Sequence, residues 1–431
     1  MTDTFTSRPL PFLSPARMLL TAAILTSVFP QAHAADAFKD TVLVANRAEF
    51  KPVAFVDPHL INPWGIALRP PGAGGHIWVS NGGDLSTTTY IGDANGVALY
   101  QDGLKLVPID APELSVEGFA VVTGQVYNAA SDAPGQPVEF PVSGPASNLS
   151  GAKPEPIGVT SGAAKFVFVN TDGGINAWRA STAVSMDKAV IVKDFSAGGP
   201  ERDLKLPHIP AFTGVAMTTD PCTKDAEGKP VADNRLYVTD FQNRMIRVFD
   251  NQWKDITSAI AFDRPQDMPE DYSPFNIQWI DGRLYVAYAA LDPNAEEPGT
   301  DVPDVGAGHI IAYDRDGHIL QEFKDLNVLS SPWGLAIAPK GFGEFGGCLL
   351  VANFGDGTIA ALEVSTGKFK GYLRDAAGKP IAIDGIWGLT FGNGVSLGDA
   401  LSLYYTAGPN GEQDGIFGRL TVADPLAQNS K

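Results

Sequence analysis

Short apolar runs recur along this chain, each bracketed by Gly, Pro, Asn or Asp. Residues 331–364 show the plan most plainly: PWGLAIA, CLLVANF and TIAALEV are separated by turn residues. Runs of this length, rich in Val, Ile, Leu and Ala and bounded by turn formers, predict strands. The plan repeats. Residues 62–68 precede 76–81, and 123–126 precede, after a long insertion, 165–170 and 174–178. Residues 212–216 lead to 235–240 and 245–250, residues 274–277 to 283–288 and 309–314, and residues 386–390 to 403–407 and 415–418.

Six units start near Pro63, Thr123, Thr213, Pro274, Pro332 and Ile386, at intervals of about 60, 90, 61, 58 and 54 residues. A unit of three or four strands cannot bury both its faces alone; radial stacking does so and leaves only short edges. The last unit supplies three clear strands, and an orphan strand at residues 41–45 lies upstream of the first. Pairing the two closes a ring with both ends of the chain. The expectation is an all-β, six-bladed β-propeller whose N-terminal strand completes the last blade. Seven blades is the alternative, if the long second unit holds an extra sheet.

Composition agrees with dense turns: 46 Gly and 33 Pro in 431 residues. No helix-period stretch of useful length follows residue 35. At the N-terminus, Arg8 and Arg17 precede an apolar run at residues 18–25, too short to span a bilayer, and Ala32-His33-Ala34 gives a small-x-small cleavage pattern. Residues 1–34 therefore read as a signal peptide and 35–431 as one propeller domain, periplasmic or extracellular. No later run is apolar enough for an integral membrane segment. The formal net charge of −18 repels nucleic acid and favours solubility or cationic ligands. A closed ring needs no partner for stability, so a monomer is expected. The two cysteines, Cys222 and Cys348, either pair across blades or remain buried free thiols.

In antiparallel blades the first strand begins and the second ends on one face. The expected channel rim therefore gathers Asn62, Trp64, Asn81, Asp240, Asn276, Trp333, Asn353 and Trp387, with Asp84, Asn170, Asp172, Asn243, Tyr288, Asp356, Asn410 and Asp414 around them. Oxygens and aromatics in such a ring suit a small polar or cationic ligand, or a hard cation such as Ca²⁺ or another divalent ion. Asp240, Asn276 and Asn353 are the candidate metal ligands. Each of these residues also has a purely structural use: Asn and Asp after a strand form turns, and Trp after Pro packs between blades. Residues 292–304 carry five carboxylates on the same rim and read as a solvated loop, a lid or a Ca²⁺ loop. His59, His76, His208, His309 and His318 fit no zinc pattern. No Walker loop, dinucleotide fingerprint or nucleophile elbow occurs in context.

The motifs NPWGIAL, SPFNIQ, PWGLAIAP with VANFGDG, and IDGIWGLTFGNG with YYTAGP together resemble a family of exported bacterial proteins of uncharacterised function. That family is distantly related to six-bladed NHL-type propellers. The resemblance spans roughly residues 40–420. It implies the fold and export, and it brings no catalytic residues. Two functions stay open: a ligand- or protein-binding module working through the rim, or a metal-dependent hydrolase or lyase resembling the six-bladed lactonases. The latter need a channel glutamate beside their Asn and Asp, and the sequence offers no evident match for it.

Overall fold

A computed structural model describes residues 36–423, apart from 73, 113–119, 133–137, 149–154, 182, 219–222, 225–229, 232, 296, 325 and 326. The proposed signal peptide and Cys222 lie outside the described residues. The described chain forms one compact unit beginning at Asp36. It is all-β and built of several sheets. No helix among the described residues is long and apolar enough to cross a membrane.

Six sheets follow the sequence units in order. Their innermost strands are Pro63–Ala67, Val122–Tyr127, Phe212–Met217, Tyr272–Ile280, Pro332–Ile337 and Ile386–Phe391. Each pairs antiparallel with the strand that follows in its unit, and in every case the register slips once near the Gly or Asn of the motif. A bulge of this kind bends a strand and increases its twist.

The inner strands touch in turn. A Cβ on Gly388 would stand 2.5 Å from the carbonyl oxygen of Trp64, so only glycine admits this approach between the last unit and the first. The same close approach joins Gly65 to Thr123, Gly124 to Val215, Gly214 to Asn276 and Gly334 to Trp387. Between the fourth and fifth units the residue is Asn276, whose Nδ2 donates to the Trp333 carbonyl at 2.7 Å. Hydroxyls reinforce other seams: Thr123 Oγ1 donates to the Phe212 carbonyl at 2.7 Å, and Thr406 Oγ1 donates to the Trp64 carbonyl at 2.5 Å.

The orphan strand is where the pattern places it. Phe38–Ala45 pairs antiparallel with Ile416–Val422, so the sixth sheet is assembled from both ends of the described chain. The long second unit does hold an extra sheet, made of Pro141–Asn148, Glu155–Ala163 and Val184–Met186. Its two longest strands arise between the first two strands of the second sheet, and its inward side packs through Phe140 and Val142 into the core around Phe166 and Trp253.

Cys348 is a free, buried thiol at the start of the second strand of the fifth sheet. Burial raises its pKa. It should resist alkylation by iodoacetamide in the folded protein and react only in denaturant, as read by mass spectrometry of its peptide. Rapid labelling without denaturant would show that this sheet opens readily.

Candidate functional site

The rim is built by one repeated device. The N–H of the first residue after the second strand donates to a carbonyl just ahead of the first strand. Gly82 bonds Asn62 at 2.9 Å, Thr171 bonds Val121 at 3.1 Å, Phe241 bonds Ala211 at 2.9 Å, Phe354 bonds Ser331 at 3.1 Å and Gly408 bonds Gly385 at 2.8 Å. Asn62, Ser331 and Gly385 have positive φ of 44°, 44° and 65°. Each stands two residues ahead of a tryptophan and turns the chain so that the indole points inward.

Those indoles pack together where the inner strands of the first, fifth and sixth units begin. Trp64 and Trp387 stack at 3.4 Å, Phe354 covers the other face of Trp387 at 3.8 Å, and Trp333 stands edge-on to both tryptophans at 5.7 and 5.8 Å. Phe241, Phe275 and Leu291 complete this buried cluster. Trp333 Nε1 donates to the Thr213 carbonyl at 3.0 Å, and Trp387 Nε1 donates to Asn62 Oδ1 at 3.1 Å. The buried Nε1 of Trp64 has no partner. The three sequence-predicted tryptophans therefore do meet, as a floor beneath the mouth.

The predicted polar residues divide into two groups. Asn62 belongs to the mouth, whereas several others are engaged inside their own units. Asn81 donates to Ser86 Oγ and Thr88 Oγ1 across its own hairpin. Asn353 donates to the Val328 carbonyl and Thr358 Oγ1 and accepts from the Ser330 N–H. Asn276 ties two inner strands, as described above. Asp240 is fully buried; its carboxylate accepts from Arg247 Nε at 3.0 Å and Nη2 at 2.8 Å, and from Asn243 Nδ2 at 3.0 Å. Burial pushes Asp240 up from the usual aspartate range even though Arg247 pulls it down. Tyr288 points into its sheet and bonds the Tyr313 hydroxyl. Among the described residues, no group of three or more His, Cys, Asp or Glu converges as metal ligands.

Two carboxylates stand at the mouth: Glu412, which the sequence pattern did not pick out, and Asp301, one of the five in the acidic loop. Glu412 closes the turn Pro409–Glu412, in which Asn410, Gly411 and Glu412 have φ of 58°, 62° and 66°. Left-handed backbone costs a non-glycine residue about 1–2 kcal/mol, so this turn holds the carboxylate where an ordinary turn would not. Asn62 Nδ2 donates to Glu412 Oε2 at 2.5 Å, which links Glu412 through Asn62 to Trp387. Burial raises the Glu412 pKa; the Asn62 hydrogen bond opposes this, and the charges of Asp301 and Glu297 add to it.

Asp301 comes from the acidic loop. That loop is a packed hairpin: Asp292 N–H bonds the Thr300 carbonyl and Val302 N–H bonds the Ala290 carbonyl, both at 2.9 Å. It leans on the third unit through Gly299 N–H to Gln242 Oε1 at 2.7 Å, and on the fifth through Ser331 Oγ to the Val302 carbonyl at 3.4 Å. Asp301 is thus partly buried rather than solvated, one of its oxygens has no partner, and burial raises its pKa. The signal that could have found Glu412 is the turn-forming run Gly408-Pro409-Asn410-Gly411 that follows a second strand and delivers it.

No family model matches the chain. It is 27% identical over 398 residues to the uncharacterized protein R648 of Acanthamoeba polyphaga mimivirus, covering 92% of this chain and 83% of the relative. It is 34% identical to the uncharacterized protein L690 of the same virus over 45% of this chain and 50% of that protein. Among solved structures, it overlaps the WD40 β-propeller domain of Doa1 with a TM-score of 0.39 at 10% identity, over 91% of this chain and 99% of that one. It overlaps the GH93 α-L-arabinofuranosidase of Fusarium graminearum bound to arabinobiose with a TM-score of 0.42 at 13% identity, over the same shares.

Proposed function

We propose that this chain is an exported, monomeric six-bladed propeller that binds a small cationic ligand, an amine or ammonium group, at the mouth above the tryptophan floor. The observation that carries this is the pair Glu412 and Asp301, two desolvated carboxylates brought together from different units with no basic side chain among the groups acting on Glu412. Half-buried carboxylates without a basic partner are costly, and the left-handed backbone at Glu412 adds to that cost. Strain and desolvation held at one place are a usual mark of a binding site. The inner-strand contacts from unit to unit support six blades. Export to the periplasm or the medium rests on residues 1–34 and on the resemblance to exported bacterial proteins.

A metal-dependent hydrolase or lyase is the second reading. Glu412 favours it, since it supplies the glutamate that the sequence did not, and a carboxyl with a raised pKa can deliver a proton near neutral pH. Asp240, Asn276 and Asn353, the candidate metal ligands, are engaged elsewhere and make this the weaker case.

The test is a melting-temperature and calorimetric titration of the purified protein with methylammonium and with CaCl₂ at equal ionic strength, after elemental analysis before and after chelation. Binding of methylammonium that Glu412→Gln weakens about tenfold or more is the expected result. It should also weaken as pH falls through the raised carboxyl pKa values, because the cation needs the ionised forms. Stoichiometric Ca²⁺ with chelation-sensitive lactone hydrolysis would favour the second reading. No response to either probe overturns both.

A further inference from the structure

A pocket opens on the same face, beside the third unit, with a volume of about 140 Å³. Its wall includes His208, Gln242, Asn243, Arg244, Leu291 and Pro293. Leu291 separates it from the tryptophan floor, into which its side chain packs.

The donors and acceptors of this wall are fixed by their other bonds. Gln242 Oε1 accepts from the Gly299 N–H at 2.7 Å, which leaves its amide NH₂ to donate elsewhere. Asn243 cannot turn round: its Nδ2 donates to both oxygens of Asp240 at 3.0 Å, and a carboxylate only accepts. Its Oδ1 is therefore held as an acceptor, and it is buried without a partner. Arg244 sits in the turn between two strands with φ of 56°. Among the described residues its guanidinium makes no ion pair, in a chain with 49 acidic and 31 basic residues. The Asp240 carboxylate behind Asn243 is matched by Arg247 at 2.8 Å and does not compete for Arg244.

We propose that this pocket binds a small oxyanion that also carries a hydroxyl: a hydrogen phosphate group or a hydroxy acid. Arg244 supplies the bidentate donor fork that suits phosphate and carboxylate oxygens. Gln242 and His208 add donors at the edge, and the ligand hydroxyl donates to Asn243 Oδ1. A pocket of this volume admits such a group alone and leaves the remainder of a larger ligand outside. The site is independent of the cation site at Glu412 and stands or falls without it.

Inorganic phosphate carries a P–OH at neutral pH and sulfate does not, so the pair tests the hydroxyl directly. Calorimetric titration of the purified chain at constant ionic strength should show saturable phosphate binding about tenfold tighter than sulfate, the cost of leaving a buried acceptor unpaired. Glycolate against acetate makes the same comparison for a carboxylate, and the tighter of phosphate and glycolate identifies the source. Arg244→Gln should weaken the tighter anion about tenfold or more, and Arg244→Lys should fall between, with circular dichroism and melting temperature confirming that both variants fold. Glu412→Gln should leave this affinity unchanged. The proposal is overturned by an absence of saturable binding for both hydroxylated anions, by equal affinity for hydroxylated and plain anions, or by full affinity in Arg244→Gln.

Discussion

Trp387→Ala is expected to lower the free energy of unfolding by about 3–5 kcal/mol, the usual loss for truncating a large buried aromatic. Trp387 is the centre of the floor, sandwiched between Trp64 and Phe354 at 3.4 and 3.8 Å. Its removal opens a void between two stacked rings and leaves Asn62 Oδ1 without its indole donor. Trp387→Phe keeps most of the stacking but loses the hydrogen bond, so it should cost clearly less. Trp64→Phe should cost less again, because the Trp64 Nε1 makes no bond. Urea unfolding followed by circular dichroism ranks the three. A loss below about 1 kcal/mol for Trp387→Ala would mean that the ring does not depend on its centre for stability.

Arg247→Met should be as damaging, and its cost should depend on pH. Arg247 and Asp240 form an ion pair with side-chain exposures of only 5% and 0%. The guanidinium also lies over the Phe195 ring at 4.6 Å. Removing one member of a buried pair leaves an uncompensated charge and costs about 3–5 kcal/mol. Asp240 already has a raised pKa in the folded state, and Arg247 is the main influence holding it down. Without Arg247 that pKa rises further. A carboxyl whose folded pKa exceeds its unfolded value holds more protons when folded, so stability falls as pH rises between the two values. The deficit of Arg247→Met should therefore be large at pH 7.5 and shrink in acid, as Asp240 takes up a proton. Asp240→Asn in the same chain should recover much of the loss at neutral pH. A pH-independent deficit would show that the aromatic contact, not the charge, is what matters.

The strands are legible because the apolar runs are short and Gly, Pro, Asn and Asp mark their ends. The pairing of residues 41–45 with the last unit is legible by arithmetic, since one unit lacks a strand and one strand lacks a unit; the structure extends that strand to Phe38–Ala45. The site was harder. Asn81, Asn353 and Asp240 occupy the expected ends of second strands, but a strand end says nothing about which way a side chain bonds. In each case a neighbour only a few residues away, such as Ser86, Thr358 or Arg247, captures it. Asn276 reads as a ligand because it stands near the expected start of a first strand on the rim. In the structure it takes over at a seam where the other units bring backbone against backbone. Glu412 was passed over because its position depends on three successive left-handed residues, which composition does not announce. Asp301 was hidden among the loop carboxylates, and only the packing of that loop against Gln242 and Ser331 distinguishes it from them.

The pairing of Phe38–Ala45 with Ile416–Val422 also governs the order in which the molecule can be made. Asn46 and Asp414, hydrogen-bonded at 2.9 Å, are 368 residues apart in the chain. Contacts this remote pay the full entropy of loop closure before they return any energy, and they slow folding accordingly. During synthesis from the N-terminus, Phe38–Ala45 can pair early only with the short parallel strand Phe55–Val56, and its long antiparallel partner comes after nearly all the rest has followed. For that whole interval the edge that will meet Ile416–Val422 stays open, able to pair with any other strand it meets. The middle units can pack against their neighbours as they appear, but the sixth sheet is complete only once Ile416–Val422 has followed.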